Sequence, residues 1–261
     1  YMAQLTSEGQ CLYCSQLFSK QAISRHLQKH LLEKVKGNKA GKSFLLKVET
    51  NPKWGSGPYF LMLWVDGNAE MGDIDYFLRH IWLECCGHMS SFTISGNKQK
   101  GTMWDIFEAQ ELLMKGKTAA YEQMMEDANG EIPKSRKTKA VLCKGMKLQY
   151  DYDFGSTTSL QLTVTDEYPA KADEQIVLLS RNEPLQILCE SCGKEPAVQL
   201  CSVCMGQEEN AFCKKCAKQH AKTCSDFADY AAMPIVNSPR MGVCAYEGGS
   251  IDKKRDGIFV K

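Results

Sequence analysis

The sequence lacks any long apolar run. The longest, Tyr59 to Val65, holds seven residues, whereas a helix needs roughly 18 to cross a bilayer, so no membrane-spanning helix and no membrane partner is expected. An excess of charge of one sign is also missing. The 32 basic residues stand against 31 acidic ones, a net charge of +1, and such a balance gives the whole molecule no field that would draw it to nucleic acid or a lipid surface. Any electrostatic partner has to be met by a local patch. A collagen-like composition is absent, and the 43% hydrophobic fraction excludes a disordered chain and supports a packed core, in one large domain or two small ones. No apolar stretch follows the N-terminus in the manner of a secretion signal, so the expected location is cytoplasmic. Histidine is scarce, with five in the chain, which leaves little material for acid–base catalysis.

What the sequence has in abundance is cysteine, with 13 residues. A reducing compartment does not sustain structural disulfides, so metal binding becomes the leading explanation. Nine of the 13 fall in two short stretches at opposite ends of the chain. In the C-terminal stretch, Cys189-x2-Cys192, Cys201-x2-Cys204 and Cys213-x2-Cys216 are followed by His220 and Cys224, eight ligands within 36 residues. Eight ligands fill two tetrahedral zinc sites, because borderline-soft Zn²⁺ in a structural role takes four sulfur or imidazole donors. The spacing favours a cross-brace: Cys189, Cys192, Cys213 and Cys216 on one ion, Cys201, Cys204, His220 and Cys224 on the other. The His-x3-Cys spacing suits one face of a helix over Lys214 to Thr223. In ligand number and order this stretch resembles MYND-type and B-box-type fingers, and the resemblance implies protein recognition.

The N-terminal stretch reads Cys11-x2-Cys14, Phe18, Ile23, His26-x3-His30 and resembles a two-Cys, two-His finger, in which a hairpin supplies the thiolates and a helix both histidines. Eleven residues separate Cys14 from His26, where that family has about twelve. Three zinc ions are therefore expected, with no organic cofactor. Of the remaining cysteines, Cys85 and Cys86 could form a fourth site with His80 and His88. They also end an amphipathic pattern of Ile74, Phe77, Leu78, Ile81, Trp82 and Cys85, with Asp73 and Gly87 as caps, so they are read as core and helix end. A thiol mechanism using Cys85 or Cys86 with His80 or His88, or a metal held by Asp151 and Asp153 on one face of a strand, is the remote catalytic alternative.

Two basic stretches interrupt the neutral balance. Lys20 to Lys42 carries Lys20, Arg25, Lys29, Lys34, Lys36, Lys39 and Lys42 against the single acid Glu33. Lys134 to Lys147 includes Lys134, Arg136, Lys137 and Lys139 and has no acid. Together with the first finger's helix they make nucleic-acid binding the alternative to a protein partner. Within the first stretch, Gly37 to Ser43 resembles a phosphate-binding loop but is one residue short between its glycines and follows a helix, so that reading is rejected.

Between the cysteine stretches, strands are expected over Ser43 to Thr50, Tyr59 to Val65, Ser91 to Ser95, Lys147 to Asp153, Ser159 to Thr165 and Gln175 to Leu179, with helices over Asp73 to Cys86, Met103 to Lys115 and Thr118 to Asp127. Phe44-Leu45-Leu46-Lys47-Val48, the segment Asp75 to Glu84, His88 with Phe92, and Tyr150-Asp151-Tyr152-Asp153-Phe154-Gly155 together resemble the plasmid pRiA4b ORF-3-like family over roughly residues 42–182. Ser156, Thr157 and Thr158 stand where many members have an acidic residue after the glycine. The resemblance implies an α+β fold with a mostly antiparallel sheet and a prokaryotic, often mobile-element context. The expected organisation is a zinc-finger-like module (1–41), an α+β core (42–182), a two-zinc module (183–227) and an extended tail (228–261). Chelation is then expected to unfold both ends and spare the core.

Overall fold

The computed structural model describes residues 7–50, 59–95, 111–112, 114–118, 120, 130–206 and 209–256. The helices expected over 103–115 and 118–127 lie largely outside them. The architecture is α+β, built on an eight-stranded sheet in which all pairings are antiparallel. In chain order its strands are β1 (Glu8–Cys11), β2 (Leu17–Ser19), β3 (Ala40–Thr50), β4 (Phe60–Asp66), β5 (Ser90–Ile94), β6 (Lys147–Tyr152), β7 (Thr158–Ala170) and β8 (Ile176–Asn182). Their spatial order is β2-β1-β8-β4-β3-β7-β6-β5.

The seven-residue apolar run becomes β4 because this strand is covered on both faces. Side chains alternate along a strand. Leu61, Leu63 and Val65 therefore enter one core, while Phe60, Met62 and Trp64 enter the other. On the first face sits helix α2 (Met71–Leu78), which continues as a π turn over Arg79–Leu83 and brings Ile74, Leu78, Ile81 and Trp82 into the core. On the second sits helix α1 (Ile23–Lys34), with Ile23, Leu27 and Leu31 fully buried against Leu45, Phe60, Met62 and Trp64.

Three expectations are corrected here. Residues 1–41 do not form a separate module: β1 pairs with β8, and Gly9 lies so close to the sheet that a Cβ there would sit 2.6 Å from the Phe60 ring. The boundary at 41/42 falls inside β3, whose pairing with β7 begins at Ala40. The helix read as running from Asp73 to Cys86 instead starts at Met71 and ends at Leu83. Asp73 sits in its first turn and accepts the Glu70 N–H at 2.7 Å, and Glu84 is already extended.

The C-terminal cysteines lie around a small sheet, β10-β9-β11, formed by β9 (Gln199–Cys201), β10 (Ala211–Phe212) and β11 (Ala232–Pro234). A short helix, Lys214–His220, follows β10. The segment after β11, expected as part of an extended tail, packs back on the molecule. Asn237, Ser238, Arg240 and Tyr246 are buried, and the chain is tied to the first core by Ser238 Oγ donating to the Trp82 carbonyl at 2.6 Å and by the Ser250 N–H donating to the His80 carbonyl at 2.7 Å. Beside that contact Gly249 runs against the backbone of Ile81, where any Cβ would collide with the carbonyl oxygen.

Candidate metal centres

Four groups of Cys and His side chains converge, each with its ligand atoms within 4.8 Å of one another. A tetrahedral ion with bond lengths of about 2.0–2.3 Å holds its donors roughly 3.3–3.8 Å apart, so convergence on this scale suits a single ion. None of the described cysteines is in a disulfide.

The first group is Cys11, Cys14, His26 and His30. The thiols come from the end of β1 and the turn to β2, where the Ser15 N–H closes onto the Cys11 carbonyl at 2.7 Å; the imidazoles lie one turn apart on α1. Cys14 Sγ is 3.3 Å from His26 Nε2, which is 3.1 Å from His30 Nε2. Phe18 from β2 stacks on the His26 ring at 3.9 Å and fixes its plane.

The second group is Cys189, Cys192, Cys213 and Cys216, and the third is Cys201, Cys204, His220 and Cys224. This is the alternate-pair grouping read from the spacing. The short helix carries Cys216 and His220, and Cys224 follows it. Cys204 Sγ is 3.6 Å from His220 Nε2. Phe212 stacks on the His220 ring at 4.3 Å, and Phe227 meets its edge at 4.9 Å. An aromatic face therefore orients a histidine in the third group as in the first.

The electrostatics of these groups favour a bound cation. The backbone N–H groups of Glu195 and Lys194 point at the Cys192 sulfur and hold its thiol down at about 6. Those of Cys216 and Lys215 lower Cys213 in the same way. The neighbouring sulfurs resist ionisation in turn. Cys216 is pushed up to about 12, by its contact with Cys213 and by burial. Cys204 is pushed up to about 12 by burial and by Cys201. A dication reverses that mutual opposition, because a coordinated thiol is deprotonated outright. The soft donor sets are compatible with zinc: two thiols with two imidazoles in the first group, four thiols in the second, and three thiols with one imidazole in the third.

The fourth group is Cys85, Cys86, His88 and Cys244. This corrects the reading of Cys86 as core and of both cysteines as a helix end, while Cys85 does pack against the first core. Both follow the π turn; Cys86 is exposed, and Cys85 is only partly buried at the edge of the first core. His80 is not a member, since its Nδ1 lies 2.9 Å from the Tyr76 carbonyl and its ring stacks on Tyr76. Cys244 takes that place, delivered by the buried C-terminal segment.

The remaining candidates are placed differently. Asp153 does not share a strand face with Asp151: it follows β6 with φ of 63°, and its carboxylate accepts a 2.6 Å hydrogen bond from the buried guanidinium of Arg240. Asp151 instead accepts from Ser159 Oγ at 2.5 Å. The two do not join a metal cluster among the described residues. In the basic stretches, Lys20 pairs with Glu49 at 2.6 Å, Lys42 with Glu167 at 3.5 Å, Lys134 with Asp75 at 3.1 Å and Lys137 with Glu70 at 2.9 Å. Lys34 pairs with Asp173, and Lys139 donates to Asn68. Arg25, Lys29, Lys36, Lys39 and Arg136 are exposed and make no ion pair among the described residues. The two stretches meet at Gly67, whose N–H donates to the Lys42 carbonyl while its own carbonyl accepts from the Lys139 N–H.

No family model and no curated protein matches the chain. Among solved structures, a protein of unknown function from Methanosarcina mazei Go1 is similar over 53% of this chain and 67% of its own, at 15% identity and a TM-score of 0.34. No helix among the described residues is long and apolar enough to cross a membrane.

Proposed function

We propose that the chain is a non-catalytic binding or adaptor protein held together by zinc, with the α+β core as platform and a protein as its partner. The observation that carries this reading is that each cysteine-rich stretch supplies full sets of four protein donors. A four-ligand structural zinc has no open position for water or substrate. Two further features support a protein partner. The apolar stripe of α1 is spent on the sheet, and most lysines of the two basic stretches are held by carboxylates or amides. The C-terminal module, by contrast, exposes Leu188, Val203, Met205 and Tyr230. We also propose that residues 42–182 belong with the pRiA4b ORF-3-like proteins, on the strength of the Tyr150 to Gly155 and Asp75 to Glu84 segments, and share their prokaryotic, mobile-element setting.

Nucleic-acid binding is the second reading, favoured by the exposed Arg25, Lys29, Lys36 and Lys39, which make no ion pair among the described residues. Titration against labelled single- and double-stranded DNA and RNA at two salt concentrations separates the two. Phosphate contacts release counterions, so affinity for nucleic acid falls with salt by about one logarithmic unit of slope per phosphate neutralised. The adaptor reading expects no such binding. Salt-sensitive binding that disappears when Arg25, Lys29, Lys36 and Lys39 are all changed to Glu would replace it with the nucleic-acid reading. Lys34 is left out of that variant because its reversal would break the Asp173 pair.

A further inference from the structure

We propose that Cys85, Cys86, His88 and Cys244 form a fourth zinc site, one that clamps the C-terminal segment onto the α+β core. The donors are already at ligand spacing. His88 Nε2 lies 2.9 Å from Cys86 Sγ and 3.3 Å from Cys244 Sγ; Cys86 Sγ lies 3.4 Å from Cys244 Sγ and 3.6 Å from Cys85 Sγ. Three thiols and an imidazole converging in this way are a complete structural zinc set.

The surroundings are built around these donors. Arg240, fully buried, directs one guanidinium nitrogen to both Asp153 Oδ2 at 2.6 Å and Cys85 Sγ at 3.6 Å, and the other to the Ser156 carbonyl at 3.0 Å and Thr158 Oγ1 at 3.1 Å. Such outer contacts orient metal thiolates and stabilise their charge. The Tyr152 ring stands edge-on to His88 at 5.8 Å, and its hydroxyl lies 3.9 Å from Cys85 Sγ. On the tail side, Cys244 and Ala245 both adopt left-handed backbone, with φ of 50° and 53°. That conformation is unfavourable for residues with a Cβ and persists only where the surroundings hold it. Here it turns the Cys244 sulfur toward the other three donors.

The other three groups each draw their ligands from one local stretch of sequence. This one joins the turn after α2 to a segment more than half the chain away, and so closes a long loop in the manner of a metal clip. It does not depend on the adaptor reading.

The test uses the intact chain under a phosphine reductant, with zinc counted by native mass spectrometry and free thiols by alkylation and peptide mapping. Of the 13 cysteines, a fourth site leaves only Cys143, exposed and outside every group, to react at once. The expected result is four zinc ions and one rapidly alkylated thiol, with Cys85, Cys86 and Cys244 released by chelator. Three ions, with Cys85, Cys86, Cys143 and Cys244 all reacting, would overturn the proposal. Protection of Cys86 and Cys244 that yields to more reductant but not to chelator would overturn it too, by identifying a disulfide. Cys244→Ser should lose one zinc and free Cys85 and Cys86, while His88→Cys, which keeps a soft donor, should retain four. Those two variants separate loss of a ligand from general misfolding.

Discussion

Arg240 is the residue on which the core, the tail and the fourth group of donors meet. Its partner Asp153 is held at about 2 by the hydrogen bond from this guanidinium, assisted by the N–H groups of Gly155 and Ser156 and opposed by burial. A carboxyl group whose pKa is lowered by folding contributes stability that is fully present above its unfolded pKa and is lost as pH falls through the folded one. The contribution of this pair should therefore be intact above about pH 4 and vanish toward pH 2. Acid titrations followed by circular dichroism, run on metal-free wild type and Asp153→Asn, should differ in that window, the variant lacking the acid step and starting from lower stability. At this scale the sequence was readable where ligands are local. Cys-x2-Cys and His-x3-His or His-x3-Cys spacings are dictated by a turn and by one helical turn, so those donors announce themselves. Cys244 could not be found in that way, because its companions lie far away in the chain. The spacing instead offered His80 as the fourth donor beside Cys85, Cys86 and His88, and left Cys143 and Cys244 unassigned.

Among the elements, α1 shows why a correct motif can still mislead about organisation. Phe18 and Ile23 stand at the aromatic and aliphatic core positions of a finger that packs on itself, and Phe18 does stack on a ligand histidine. The same apolar face also fits a sheet, and Ile23, Leu27 and Leu31 are fully buried against β3 and β4. Periodicity specifies which face is buried and not what buries it. Leu27→Ala should therefore cost the whole sheet about 2–5 kcal/mol, seen as one shifted urea transition reported both by finger and by core probes. A small loss confined to the finger would mean that α1 is only loosely attached. Strand β4 was legible from its unbroken apolar run, which is the pattern of a strand buried on both faces. The early end of α2 was not. Its amphipathic stripe continues past Leu83, but the π turn shifts the phase and Glu84 turns the chain out, with its carboxylate taking the Gly87 N–H at 2.7 Å and the Arg79 guanidinium at 2.5 Å.

At the level of the whole molecule, the metal groups are stitched into shared structure. The first group stands on the strand that pairs with β8, and the fourth ties the C-terminal segment to the turn after α2. Chelation should accordingly lower the melting temperature of the α+β core itself, and not merely unfold two ends around an unchanged middle. The check is a thermal melt of the core tryptophans Trp64 and Trp82 with and without chelator, since ligands that bind only the folded state raise its apparent stability. Identical core melts would restore the division into independent parts expected from composition.

The pairing of β1 with β8 also bears on how the chain is made. Gly9 faces Asn182, and Gln10 accepts a hydrogen bond from Arg255, so β1 meets these partners only after the long intervening stretch of chain has been synthesised. Contacts this distant in sequence are slow to form, and a waiting strand with open edges invites association with other chains. A metal captured early by Cys11, Cys14, His26 and His30 would give that nascent hairpin and helix a local fold to hold during the delay, acting as a placeholder during translation.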